Sequence, residues 1–167
     1  MSGLKEAASA ALTAWVEQSD VPSEPGERRG EVVVVLPGER KLKTVVSVLV
    51  GDRGLSASTF LIRKPEENET EFFRWMLNRN AKLPGIAFSL DALGDVYLVG
   101  RVPLAGVTVD TVDDLLGALL ATSDDSFNEL LALGFLSSMK KEWAWRVERG
   151  ESTKNLEAFR HLLETTE

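Results

Sequence analysis

Three apolar runs separated by turns too short to hold a helix constrain this chain more than any other feature. Residues 31–36 are almost continuous valine, residues 41–50 alternate in part, and residues 55–63 follow. Only Pro37-Gly38-Glu39-Arg40 and Gly51-Asp52-Arg53-Gly54 lie between them. Parallel pairing would need a crossover of roughly a dozen residues, so the runs predict an antiparallel meander. The valine run reads as a strand covered on both faces. In the second run, Leu42, Val46, Val48 and Val50 share one face, and Lys41, Lys43 and Ser47 the other.

Helical periodicity surrounds this meander. Over residues 3–18, Leu4, Ala8, Ala11, Leu12, Trp15 and Val16 recur at three- and four-residue spacing and fall on one helix face. Residues 19–30 collect Pro22, Pro25 and Gly26 and read as a mobile connector. Pro65 can open a second helix, with Glu66, Glu67, Glu69 and Glu71 in its first two turns. Phe72, Phe73, Met76 and Leu77 are its apolar stripe, and it ends near Asn80. Strands at 85–90 and 95–102 flank the turn Asp91-Ala92-Leu93-Gly94. From Val109 the pattern is helical almost to the end. Thr111 and Asp114 resemble a capping box, and breaks fall at Ser123-Asp124-Asp125, near Gly134 and at 150–153.

The fold class is therefore α+β, an antiparallel sheet in an α-βββ-α-ββ-α order with additional C-terminal helices. The expected organisation is an α+β core over residues 1–122 and a helical C-terminal extension over 123–167, packed on the same unit. Leu130, Leu131, Leu133, Phe135, Leu136, Met139 and Trp143 are too apolar to stay solvated, and Leu156, Phe159, Leu162 and Leu163 continue the pattern.

Composition then narrows function. The chain has 167 residues, 44% hydrophobic and 27% charged. That length buries roughly 70% of the unfolded surface and needs no staples. It contains no cysteine and one histidine, His161, which excludes thiolate and histidine-cluster metal sites. Its 19 basic and 26 acidic residues give a net charge of -7, unfavourable for nucleic acid. No apolar run approaches the roughly 20 residues of a membrane span, and residues 1–20 lack a signal-peptide core. The expectation is a cytoplasmic protein with neither cofactor nor metal.

Glu157, His161 and Glu164 share one face if the C-terminal segment is a continuous helix, as a metal site or general base would require. This is the sequence basis for an alternative reading, a small-ligand or metal-dependent enzyme. The plainer reading is a solvated helix face. Asp113, Asp114, Asp124 and Asp125 could hold a hard cation, but their positions suit helix capping. No phosphate-binding glycine motif and no GxSxG setting occur, so no catalytic constellation is visible.

Residues 140–149 mix basic and aromatic side chains, with four basic against two acidic residues, a weak signal for nucleic acid. On a helix, Leu136, Met139, Trp143 and Val147 line the core face, and Trp145 points about 200° away from Trp143. Trp75 sits about 60° from Phe72, at the edge of its stripe. Tryptophan and arginine are enriched at binding hot spots. Trp75, Trp145, Arg146 and Arg149 are accordingly the candidate partner-binding residues, with Trp143 assigned to the core. The meander must either be closed off or present an edge to an extended peptide.

Leu77-Asn78-Arg79-Asn80, the run from Leu83 through Asp91, Gly94-Asp95-Val96-Tyr97-Leu98 and Pro103-Leu104 together resemble the helix-to-hairpin core of YbjN-domain and type III secretion chaperone-like proteins. The likeness covers residues 5–122, and Asn80 matches the Asn that closes the family's central helix. Its own chemistry suggests a left-handed C-terminal cap. The resemblance implies a non-enzymatic binding module, often dimeric, that holds an extended client segment on apolar surface. The implied partners are a protein or peptide client and a second copy in a homodimer.

Overall fold

The computed structural model describes residues 2–164. The chain runs α1 (Ser2–Ser19), β1 (Ser23–Pro25), β2 (Glu31–Pro37), β3 (Lys43–Val50), β4 (Gly54–Ile62), α2 (Glu69–Asn80), β5 (Ile86–Leu90), β6 (Val96–Pro103), α3 (Val109–Gly134), α4 (Leu136–Arg149) and α5 (Arg160–Leu163). Short 3-10 segments occupy Leu104–Gly106 and Lys154–Phe159. The strands form one antiparallel sheet in the order β1-β2-β3-β4-β6-β5. The α+β class and the strand–helix order expected from the sequence hold, with one strand more.

That extra strand lies in the expected connector. Ser23, Glu24 and Pro25 pair with Val34, Val33 and Val32, so β1 closes the outer side of β2. The inner face of the sheet is a stack of apolar rows. One row runs Val34, Val46, Thr59, Leu98 and Phe88 across five strands, each side chain buried. The Thr59 hydroxyl is satisfied by the Val45 carbonyl at 2.7 Å. A register shift between Phe60 and Ile62 turns both Leu61 and Ile62 into the core.

Ala8, Leu12 and Trp15 of α1, Phe72 and Met76 of α2, and Val112, Leu115, Leu116 and Leu119 of α3 join these rows in one core. Fully burying each large side chain contributes roughly 1.5–3 kcal/mol. The buried Trp15 donates from Nε1 to Asp113 Oδ1 at 2.9 Å, which fixes α1 against α3. Asp113 thus serves a neighbouring helix rather than the amides of its own.

Several local expectations are corrected. β2 is covered on one face, with Val33 and Val35 only partly buried. Leu42 lies exposed in the turn, and Thr44 takes the inward position next along the strand. The cap of α3 sits one turn earlier than Thr111–Asp114. Thr108 Oγ1 accepts from the Thr111 N–H at 3.1 Å, and Thr111 Oγ1 accepts from the Thr108 N–H at 2.8 Å. Helix α3 passes unbroken through Ser123-Asp124-Asp125, because Ser123 is buried and Asp124 reaches a different element. Asp124 Oδ1 accepts the N–H groups of Glu39, Arg40 and Lys41 at 3.0, 2.7 and 3.0 Å, pinning the β2–β3 turn. The breaks at Gly134 and Gly150 are present, the second as a left-handed cap with φ 68°.

Helix α2 starts at Glu69 rather than at Pro65, behind a left-handed Asn68, and its Leu77 is exposed. Glu66 and Glu67 serve the start of α4 instead. Glu67 accepts the Ser137 N–H and hydroxyl, each at 2.7 Å, and Glu66 accepts the Ser138 hydroxyl. The N–H groups of both glutamates donate to the Gly134 carbonyl at 3.1 and 3.2 Å. The loop before α2 therefore grips the α3–α4 corner from both polarities. A Cβ on Gly134 would stand 2.9 Å from Phe72 and from Pro65, so only glycine lets the corner close on α2.

Candidate interaction surfaces

The pleat that sends one set of side chains into the core sends the alternate set to the opposite face. On that face the register pairs Val35 with Val45 and Phe60 with Tyr97, one step beyond the last β3–β4 pair Val46–Thr59, and aligns Val33, Ser47, Ser58 and Val99 in the next row. Val45 is 48% and Phe60 43% exposed. Phe60 and Tyr97 meet edge to face with centroids 5.7 Å apart. Lys41 donates from Nζ to the Phe60 carbonyl at 2.7 Å, and its burial lowers its pKa.

The other end of this face is polar. Glu31, Leu49, Ser56 and Arg101 are aligned across it. Glu31 accepts from Arg28 Nε at 3.1 Å and from the Ser47 hydroxyl at 2.6 Å. The Arg28 side-chain hydrogen bond, followed by that of Ser47, holds the Glu31 carboxyl down at about 2. Among the described residues, Arg53 and Arg101 have no ion-pair partner, and both line a shallow depression with Ser56. An apolar end and an end carrying two uncommitted arginines on one sheet face suit an extended amphipathic segment with acidic residues at one end. The signal was present in the valine run, whose second apolar face has no helix to cover it.

Both sheet edges are blunted. β1 is three residues long and ends in proline, features that discourage further pairing. At the opposite edge Asn80 replaces a strand. Its Oδ1 accepts the Phe88 N–H at 2.7 Å, and its Nδ2 donates to the Phe88 carbonyl at 3.2 Å. Asn80 is thus not a left-handed cap. The helix continues into Ala81 with φ -63°, and the amide is used on β5.

The four sequence-nominated residues fall on the helical side. Trp75 is partly buried, edge-on to Phe88 with centroids 5.7 Å apart, and donates from Nε1 to Glu129 at 3.2 Å. Arg79 lies over its ring at 5.3 Å. Trp145 is 44% exposed, with the Arg149 guanidinium 4.8 Å from its centroid. Arg146 bonds Glu142 Oε1 and the Ser152 carbonyl, each at 2.9 Å, and so ties down the chain beyond α4. Trp143 is partly buried against the second apolar cluster, whereas Val147 is exposed rather than on the core face. The structure brings Trp145 and Arg149 together and gives Trp75 separate neighbours.

Glu157, His161 and Glu164 do not lie on the one continuous helix that their spacing assumes, because residues 154–159 are 3-10 and only 160–163 are α-helical. Glu157 accepts from Thr153, and Arg160 engages both Glu157 and Glu164. Among the described residues no group of three His, Cys, Asp or Glu side chains is arranged to hold a metal ion. No described helix is long and apolar enough to cross a membrane.

A small α+β unit with a one-sided helical layer is the class these features define. The chain belongs to the YbjN family, whose model, described as "Putative bacterial sensory transduction regulator", matches residues 8–132. It is 48% identical over 142 residues to the Uncharacterized protein Rv0487 of Mycobacterium tuberculosis, covering 85% of this chain and 78% of that one. The Uncharacterized protein ML2442 of Mycobacterium leprae is 47% identical over 133 residues, covering 80% and 72%. Its fold is similar to a chain in the heterodimeric ExoU–SpcU complex of the Pseudomonas aeruginosa type III secretion system. That match has a TM-score of 0.54 and 16% identity over 73% of this chain and 96% of the other. A chain of the HopA1–SchA chaperone–effector complex matches with a TM-score of 0.53 and 14% identity, over 72% and 91%.

Proposed function

We propose that this chain is a non-enzymatic protein-binding module, chaperone-like or regulatory, that acts in the cytoplasm and holds an extended client segment on apolar surface. The observation that carries this reading is the open sheet face, where Val45 and Phe60 are exposed and Val35 and Tyr97 half-buried, with Arg101 toward the other end of the same face. The fold shared with chaperone–effector complexes supports the same reading. On the helical side Trp145 and Arg149 are the accessible pair of a second contact surface with Arg146 next to them in α4, and Trp75 is a separate contact point on α2. Losing a central tryptophan anchor costs about 2 kcal/mol of binding or more.

Clients are to be captured from extract of the source cell and identified by mass spectrometry, with wild type compared with Phe60→Asp and Trp145→Ala. We expect wild type to enrich defined proteins and Phe60→Asp, folded by circular dichroism, to lose them. A folded Phe60→Asp that retains every client would overturn the sheet-face assignment. Homodimerisation is part of the proposal; sedimentation showing only an 18.3 kDa species at high concentration would refute it.

A further inference from the structure

A second apolar cluster lies apart from the main core. Leu156, Phe159 and Leu163 are buried together with Met139 of α4, and Leu131, Leu136 and Trp143 pack against them. A cleft remains between this segment and the body of the protein, lined by Ile62 at the end of β4, Leu131 of α3, Phe135 at the corner and Met139 on one side and by Leu156 and Phe159 on the other. The three anchors are spaced by three and four residues, the pattern of a short helical segment laid in a groove. The positions between them, Glu157, Ala158 and Arg160, are exposed.

How this segment is held differs from how α4 is held. Ser137 at the start of α4 donates to the Glu67 carboxylate in the loop before α2, and the Gly134 carbonyl just ahead of it accepts the Glu66 and Glu67 N–H groups. The polar contacts described for Thr153, Glu157, Arg160 and Glu164 instead stay within the segment. Arg146 of α4 also bonds the Ser152 carbonyl, just after the left-handed Gly150. Leu156, Phe159 and Leu163 are the buried apolar side chains that seat the segment on α3 and α4, against the entropy of ordering it. Segments with few ties to the body of a protein are the ones that open independently of its core.

We propose that the cleft between α3, α4 and the end of β4 is a docking groove for a helical segment of a protein partner with large apolar residues at the Leu156–Phe159–Leu163 spacing. The chain's own residues 153–164 occupy it in cis until such a partner displaces them. The occupant is defined by what the groove already accepts. This inference rests on the protein-binding reading only for the existence of a partner, and it concerns a surface separate from the open sheet face.

The probe is a fluorescent peptide of residues 151–164, titrated into full-length wild type and into the full-length double variant Leu156→Ser, Phe159→Ser. The detached variant is expected to bind the probe. Wild type is expected to bind roughly 10- to 100-fold more weakly, because the tethered segment competes at millimolar effective concentration. A probe carrying the same two serines is expected not to bind. A folded variant that ignores the probe, or a wild type that binds as tightly as the variant, would overturn the proposal. So would a wild-type dimer that dissociates in the double variant, which would make a second copy the occupant. Hydrogen exchange on wild type needs no variant. Amides of 156–163 are expected to exchange at least about 100-fold faster than those of Leu116 and Leu119, and equal protection would refute detachment. Because the probe is the chain's own segment, failure here leaves client capture by the sheet face untouched.

Discussion

Replacing Asp124 by alanine removes three hydrogen bonds at once, all from a turn more than eighty residues away in sequence. Hydrogen bonds to a charged acceptor contribute about 1.5–3 kcal/mol each, but that figure does not apply three times. The Glu39 and Arg40 amides lie at an exposed turn, where water takes over much of the bond, and each is worth about 0.5 kcal/mol. The Lys41 amide is partly buried and keeps about 1.5 kcal/mol. The expected loss is about 2.5 kcal/mol, a fall of roughly 5–10 °C in Tm for a chain of this size. Gly38 makes the loss hard to relax, since the turn brings its Cα position against the Lys41 carbonyl too closely for a side chain. Urea unfolding should show a lower midpoint at unchanged m-value. Asp124→Asn keeps an oxygen acceptor without the charge and should lose about 1 kcal/mol. Asp125→Ala breaks only an exposed pair with Arg40 and should change stability by less than about 0.5 kcal/mol. An Asp124→Ala variant as stable as wild type, or an Asp125→Ala variant equally damaged, would refute the reasoning.

Four further outcomes are expected. Asn80→Ala leaves both polar groups of Phe88 without their partner and should cost about 1–2 kcal/mol in denaturant unfolding. Asn80→Asp, which also sets a carboxylate against the Phe88 carbonyl, should cost more. Because the Glu31 carboxyl titrates at about 2 instead of 4.5, its stabilisation is complete above about pH 4.5 and disappears as pH falls through about 2. Glu31→Gln should flatten that part of the acid-unfolding curve. Thr44 buries a hydroxyl with no described partner, so Thr44→Val should raise stability by up to about 1 kcal/mol in the same unfolding assay. Gly134→Ala forces a methyl against Phe72 and Pro65 and should cost about 1–3 kcal/mol, read as a drop in Tm.

Where a residue's partner is its neighbour in sequence, the structure was legible in advance. Alternation placed Val46, Val48 and Val50 inward, three- and four-residue spacing placed Ala8, Leu12 and Trp15, and the glycines at 134 and 150 ended their helices. The misreadings share one physical cause. Glu66, Glu67, Asp113, Asp124 and Asn80 all look like caps for the nearest helix terminus, and each spends its polar atoms on a distant element. Local reasoning sees that such a group needs a partner but not which backbone the fold will bring to it. The open sheet face escaped notice for a related reason. A valine run announces two apolar faces, and the expectation that both are covered holds only when helices exist for both.

The bond between Trp15 and Asp113 spans 98 residues, and it sets the order in which the chain can be completed as it leaves the ribosome. Helix α1 is made well before α3, which supplies Asp113 to Trp15. At about 5–20 residues per second, the first helix waits about 5–20 s with its apolar face unclaimed. Until α3 arrives, the face of α1 that α3 will cover is a sticky surface on the nascent chain, so substitutions in α3 that delay docking should lower soluble yield more than equilibrium stability.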